Sequence, residues 1–241
     1  MSYGDDFQRF SKYLRETLQG KRLAWDQKPN PYKEYPADLE RITLEEPDRS
    51  GGTPLFEVLQ KRRSERNYKT RPLSKKELSQ VIWAAQGVTR ATGYHQFRTA
   101  PSAGALYPVE TYCVINRVSE MKPGVYHYQV PEHSLALLKE GDYGTELAQA
   151  GLGQAMIRDA AFVLVFSALV ERAKWKYDQR AYRYIYMDAG HIAQNAALAA
   201  VSLDLGSCQI GAFFDQEVNK VIEVDGEEET AIYMTTIGEP R

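Results

Sequence analysis

The sequence predicts an α+β fold in which a central sheet is flanked by helices. Two segments and their order carry that reading. Residues 160–168 form a continuous apolar run, the pattern of a central strand covered on both faces. Residues 179–203 place Ile185, Ala189, Ile192, Ala196 and Ala200 on one stripe, so they read as a long helix whose small side chains permit close packing. Helical and strand patterns follow one another in mixed order, which separates this chain from a regular βαβ repeat.

The N-terminal part differs from the rest. Phe7, Phe10, Leu14 and Leu18 recur at helical spacing, predicting an amphipathic helix over roughly 5–19. Residues 25–47 contain Pro29, Pro31, Pro36 and Pro47, many charges and few aliphatics. Proline fixes φ and removes a ladder donor, so this stretch reads as an extended arm without a core. Trp25, Tyr32 and Tyr35 imply that the arm lies on a surface, either its own domain's or a partner subunit's. The chain therefore divides into a helix and arm over 1–53 and a globular domain over 54–241.

Thr53 followed by Pro54 predicts a helix start with Thr53 as N-cap, and Leu55, Val58, Leu59 and Arg62 share its face. Ser74 and Glu77 form a capping box ahead of a helix through Leu78, Val81, Ile82 and Ala85, closed near Gly87. The polar, Gly-containing segment 88–100 reads as a loop. Residues 109–118 read as a strand, 125–128 and 135–138 as a hairpin, and 144–157 as a helix. Leu205-Gly206 ends the long helix, a short strand or loop follows over 207–211, and Asp215 caps a short helix through Ile222. Residues 230–237 read as the last strand.

Composition bounds the function. The 241 residues are 43% hydrophobic, enough for a proper core. Lys+Arg number 30 against 32 Asp+Glu, a net charge of −2, so the broad basic face that nucleic acid requires is not expected. No apolar run reaches the length of a membrane helix, and the acidic N-terminus has no apolar signal core. A cytoplasmic protein is expected. Cys113 and Cys208 make no disulfide framework. Asp188 and His191 are three apart on the long helix, half of a metal motif with no second half, so no metal site is expected.

Two segments point to chemistry. Arg62-Arg63-Ser64-Glu65-Arg66 puts three guanidiniums and a hydroxyl at the end of a helix. Arginine presents a planar fork of donors that suits phosphate and stays charged at any ordinary pH. A solvated basic helix end is the plainer explanation of the same residues. The second segment, Pro101-Ser102-Ala103-Gly104, is small and stiff, and a flat ring could lie against its backbone.

Together these segments resemble the FMN-binding elements of the nitroreductase superfamily, most closely its SagB/ThcOx-type dehydrogenase branch. The arm motifs KPNPYKEYP and RITL are similar to the SagB-type N-terminal extension. RRSERNY resembles the phosphate and ribityl motif, and RTAPSAGALYPVETY the flavin-ring loop. GLGQAMIRDAAFVLVFSA, KWKYDQRAYRYIYMDAGHIAQNAALAA and LGSCQIGAF match further family segments in the right order. The resemblance implies a nitroreductase-like fold and a homodimer with swapped arms and FMN in the interface. Arg62, Ser64 and Arg66, assisted by Arg63, would hold phosphate, ribityl and pyrimidine groups. Pro101, Ser102, Ala103 and Gly104 would contact the isoalloxazine from the other subunit. Gln154 would reach the ribityl chain or ring edge, Ile210, Gly211 and Ala212 would cover the ring near N5, and Arg241 would add a cation to the phosphate.

Lys176-Tyr177 resembles the pair that azoline-oxidising members place over the flavin. A base there could remove a Cα proton while hydride leaves Cβ, provided desolvation or a nearby cation lowers the lysine pKa. Glu171, Arg172 and Lys174 crowd the same stretch, so a solvated lid is the alternative. Three activities stay open: oxidation of azolines in a modified peptide, reduction of small electrophiles by NAD(P)H, and flavin binding without turnover.

Overall fold

The computed structural model describes residues 2–16, 23–93 and 95–241. In chain order the helices are α1 (Tyr3–Phe10), α2 (Leu55–Lys61), α3 (Lys75–Gln86), α4 (Gly144–Ala150), α5 (Ala155–Asp159), α6 (Val170–Tyr177), α7 (Ala181–Ser202) and α8 (Asp215–Ile222). The strands are β1 (Arg41–Thr43), β2 (Val88–Thr92), β3 (His95–Arg98), β4 (Val109–Ile115), β5 (Gly124–Gln129), β6 (Ser134–Glu140), β7 (Phe162–Leu169), β8 (Gly206–Ile210) and β9 (Glu229–Gly238).

Seven strands form one sheet in the order β1-β6-β5-β4-β7-β9-β8. All its ladders are antiparallel, and among the described residues parallel pairing enters only at the isolated bridges Ser64–Ser207 and Leu73–Val118. β7 lies between β4 and β9 with helices over both faces, which is why it is apolar at every position but Ser167, whose buried hydroxyl donates to Glu229. Phe162, Leu164, Phe166 and Ala168 pack in the core shared with α3 and α7. Val163 and Val165 face the opposite core, with α4, α5 and α8. The period of two is the pleat of a strand.

The capping box is formed as expected: Glu77 N–H donates to Ser74 Oγ at 3.2 Å, and Ser74 N–H to the Glu77 carboxylate at 2.6 Å. α7 runs as one helix and buries the Ile185, Ala189, Ile192, Ala196 and Ala200 stripe.

Several local expectations are corrected. The N-terminal helix stops at Phe10, because the Ser11 hydroxyl turns back onto the Phe7 carbonyl and competes with the backbone. Phe10 and Leu14 are exposed, and Leu18 lies outside the described residues. Pro54, not Thr53, takes the N-cap position of α2, since the Thr53 hydroxyl turns to the Ser202 carbonyl at 3.5 Å and not to the helix N-terminus. The segment read as a polar loop is a hairpin, β2–β3, turning at Gly93 with φ 57°. Its β2 residues are largely exposed, so they carry no hydrophobic alternation to betray the strand. The single helix expected over 144–157 is two, broken where Leu152 and Gly153 take positive φ. Phe214 holds the N-cap position of α8, and Asp215 sits in the first turn, where the helix dipole favours its charge.

Within this chain the arm lies on its own domain. β1 pairs with β6, placing Ile42 opposite Leu135. Lys33 reaches the buried Glu229 at 2.6 Å and the Tyr112 hydroxyl at 2.7 Å. Tyr32 donates to Gln96 at 2.7 Å, and Trp25 meets Trp175 edge to face at 5.3 Å. Among the described residues no helix is long and apolar enough to cross a membrane.

Candidate active site

α2 delivers the arginine cluster. The helix ends at Arg62, and the following residues run beside the edge strand β8, with Glu65 N–H donating to Ser207 O at 2.8 Å. Gly206 makes this approach possible, because a Cβ there would stand 2.7 Å from Glu65 Cγ. Tyr68 locks the segment: its hydroxyl donates to Glu65 O at 2.7 Å and lies 2.8 Å from Thr236 Oγ1. The Glu65 carboxylate faces Arg63 Nε at 3.4 Å, so Arg63 is partly neutralised within the chain. Arg62 and Arg66 keep their guanidiniums free of hydrogen bonds and ion pairs among the described residues. A cavity of about 460 Å³ opens here, lined by Arg62, Arg63, Lys61 and Gly206, with Asp204 and Glu65 as acidic members. Arg241 belongs to the same end. Its N–H donates to Asn67 O at 3.1 Å and its Nε to Tyr68 O at 2.9 Å, so the last residue is anchored. The unpaired Arg62 guanidinium beside an open cavity fits a phosphate, the anion for which arginine forks are best suited.

At the far end of β8, Gln154 joins two loops. Its side-chain amide donates to Gly151 O at 2.8 Å and to Ala212 O at 3.2 Å. Gly211 and Ala212 are exposed, whereas the Ile210 side chain is buried in the core with Val218 and Met234. Only the backbone of Ile210 is therefore free to face a ligand. A planar ring against an edge strand would meet main-chain donors and acceptors there.

The second half of the site forms around residues 101–107. Ser102 Oγ donates to Asp188 Oδ2 at 2.6 Å and accepts the Tyr107 N–H at 3.0 Å. Ser102 is thus committed to holding its own loop. Gly104 has φ 63°, and a Cβ on it would lie 2.6 Å from the Tyr177 hydroxyl and 3.0 Å from Lys176 Nζ. The Lys-Tyr pair and the Pro-Ser-Ala-Gly loop are therefore neighbours. Lys176 Nζ lies 5.3 Å from the Tyr177 ring centroid, and Tyr177 packs edge-on against Tyr184 at 4.8 Å.

A buried charge cluster fixes α6. Arg172, one helical turn before Lys176, donates to Glu110 at 2.6 Å and to Tyr107 O at 3.2 Å. Glu110 also meets His127 Nε2 at 3.0 Å. Burial alone would push the Glu110 carboxyl up, but the hydrogen bond and charge of His127, with Arg172 and Arg98, hold it at about 2. Asp188 is raised instead, because burial outweighs its hydrogen bonds from Ser102 and Ala103. Sequence reasoning passed over both groups. Asp188 was visible only as half of a metal motif, and no cluster of three or more metal-ligating side chains occurs among the described residues.

The two halves sit at opposite ends of α7. Tyr184 touches Tyr177, while Val201 lines the arginine cavity. Seventeen residues of helix separate them, roughly 25 Å at 1.5 Å per residue. Within one chain the Lys-Tyr pair does not share a small ligand with the arginine cluster.

An antiparallel sheet flanked by helices thus carries a cationic cluster along its edge strand and a Lys-Tyr pair over a stiff loop. The chain belongs to the nitroreductase family, which residues 59–239 match. It is 41% identical over 187 residues to MJ1384, a nitroreductase-type protein of Methanocaldococcus jannaschii, covering 78% of this chain and 87% of that one. A solved nitroreductase-type structure from Anabaena variabilis superimposes with a TM-score of 0.74 at 31% identity, over 85% of this chain and 42% of the other. The trifolitoxin-processing protein TfxB of Rhizobium leguminosarum bv. trifolii is 30% identical over 140 residues, 56% of this chain and 38% of TfxB. The chain spans less than half the length of these last two.

Proposed function

We propose that this chain is an FMN-dependent oxidoreductase of the SagB/ThcOx type that oxidises azoline rings in a modified peptide. Its site is completed by a second copy of the chain. The observation that carries the shared site is the separation of its halves along α7. A two-fold dimer would bring the Lys-Tyr pair of one copy to the arginine cradle and edge strand of the other. Likeness to a toxin-processing relative supports a peptide substrate.

FMN, when bound, supplies a two-electron acceptor for hydride. Arg62 and Arg66 would hold its phosphate end, with Arg63 and Arg241 alongside and Ser64 adding a neutral donor. Gln154 and the backbone of Ile210, Gly211 and Ala212 would line the ring, and the loop of Pro101, Ala103 and Gly104 would limit water access from the partner side. The Lys176 amine accepts the proton from the azoline Cα as hydride leaves Cβ. The Tyr177 hydroxyl orients that amine.

A second reading, NAD(P)H-driven reduction of small electrophiles, is favoured by the 41% identity to a nitroreductase-type protein. Anaerobic mixing separates the two. Bleaching of bound flavin by an azoline peptide, with formation of the azole, is expected. Bleaching by NADH or NADPH alone would install the second reading, and a chain that binds no flavin would remove both.

A further inference from the structure

The loop that faces Lys176 is strained. Gly104, Ala105 and Tyr107 have φ of 63°, 52° and 47°. Glycine tolerates this region, but Ala105 and Tyr107 carry a Cβ into a conformation that side chains disfavour. Such backbones persist only where their surroundings over-determine them.

The surroundings here converge on one carboxylate. Asp188, in the middle of α7, is 5% exposed and forms no salt bridge among the described residues. It accepts from Ser102 Oγ at 2.6 Å and from the Ala103 backbone N–H. Ser102 Oγ in turn accepts the Tyr107 N–H at 3.0 Å, so both ends of the strained stretch hang from this residue. On the other side Arg172 donates to Tyr107 O at 3.2 Å and fixes the loop to α6. A buried carboxylate is costly unless hydrogen-bonded, and these loop contacts are what Asp188 gains in exchange for water.

We propose that Asp188 is a positioning residue. By holding Ser102 and Ala103 it keeps the strained loop in the shape that sets Gly104 against the Lys176 amine and the Tyr177 hydroxyl. The kinetic consequence rests on Lys176 being the proton acceptor proposed above; the consequence for loop shape does not.

The test uses the full-length protein as purified, with Asp188→Ala, Asp188→Asn and Ser102→Ala. Amide exchange is read at Ala103, Ala105 and Tyr107, with β7 as internal reference. In Asp188→Ala the loop amides should exchange about tenfold faster, the equivalent of one hydrogen bond, while β7 stays protected. Asp188→Asn, which keeps one acceptor, should fall between, and Ser102→Ala should match Asp188→Ala at Tyr107. Unchanged loop exchange in Asp188→Ala, or loop and β7 loosening together, would overturn the proposal. In kinetics, Asp188→Asn should lower kcat by about tenfold to a hundredfold, the cost of a small misplacement, with KM nearly unchanged. It should cost little more when added to Lys176→Ala. An equal loss in both backgrounds overturns it. If Lys176→Ala alone leaves the rate intact, the base assignment fails, and the exchange result still decides the role of Asp188.

Discussion

The Tyr177 hydroxyl lies 2.6 Å from the point that a Cβ on Gly104 would occupy. The missing side chain at residue 104 is what lets α6 close onto the loop, and it joins two motifs some seventy residues apart in sequence.

Gly104→Ala should therefore act twice. It places a Cβ at φ 63° and drives it against Tyr177 and Lys176. A loss of roughly 1–2 kcal/mol is expected from the left-handed conformation alone, read by denaturant unfolding. Adding Tyr177→Phe removes the oxygen in closest contact and should recover part of any loss beyond that. No recovery would mean that the loop, not the hydroxyl, yields to the new methyl.

The cradle predicts unequal arginines. Arg62 is unpaired among the described residues, whereas Arg63 faces Glu65 and is 80% exposed. Arg62→Ala should weaken FMN binding by about 1.5–3 kcal/mol, the range for hydrogen bonds to a charged group. Arg63→Ala should cost less. Flavin-fluorescence titration checks both, and equal losses would refute the ranking.

Acid sensitivity should trace to Glu110. Its folded value of about 2 lies below the ordinary 4.5. Its contribution to stability is therefore present above about pH 4.5 and lost as pH falls toward 2. Glu110→Gln breaks a buried pair and should destabilise by about 3–5 kcal/mol at neutral pH. The gap from wild type should narrow as pH drops through that window. A gap that stays constant in urea titrations at pH 7, 4.5 and 3 would assign the loss to packing instead.

Much of this was legible in the sequence because it follows from local chemistry. The apolar run of β7, the Ser74–Glu77 box and the small-residue stripe of α7 each state their environment in a few residues. The cationic cluster and the Pro-Ser-Ala-Gly loop were visible as site candidates for the same reason. What escaped was non-local. Nothing near Asp188 in sequence announces Ser102, 86 residues away, and Glu110 meets Arg172 at a separation of 62. The β2–β3 hairpin escaped because exposed strands lack a buried face, and the helix break at 151–153 because Leu152 takes a positive φ that its residue type does not advertise.

A site shared between copies predicts complementation. A dimer pairing one Arg62→Ala chain with one Lys176→Ala chain would contain one site with both defects and one with neither. Doubly tagged heterodimers should then recover about half the wild-type rate, as two-fold symmetry requires. If each site were built from a single chain, both would carry a defect and no recovery would be seen.

Lys176 separates the two proposed reactions. If its amine accepts the azoline proton, Lys176→Ala should leave flavin content and dimer intact while lowering kcat by roughly 10²–10⁴, the usual share of general acid–base catalysis. Tyr177→Phe should lose less, because the hydroxyl orients the amine and does not take the proton. Reduction of a nitroaromatic by NAD(P)H needs no such base, so both variants should keep most of any such activity. Steady-state rates of wild type and both variants on an azoline peptide and on a nitroaromatic therefore form a complete test. A loss confined to the peptide supports Lys176 as the base. Near-wild-type rates on both substrates would leave the Lys-Tyr pair as a solvated lid, with its contact to Gly104 serving only the packing of α6.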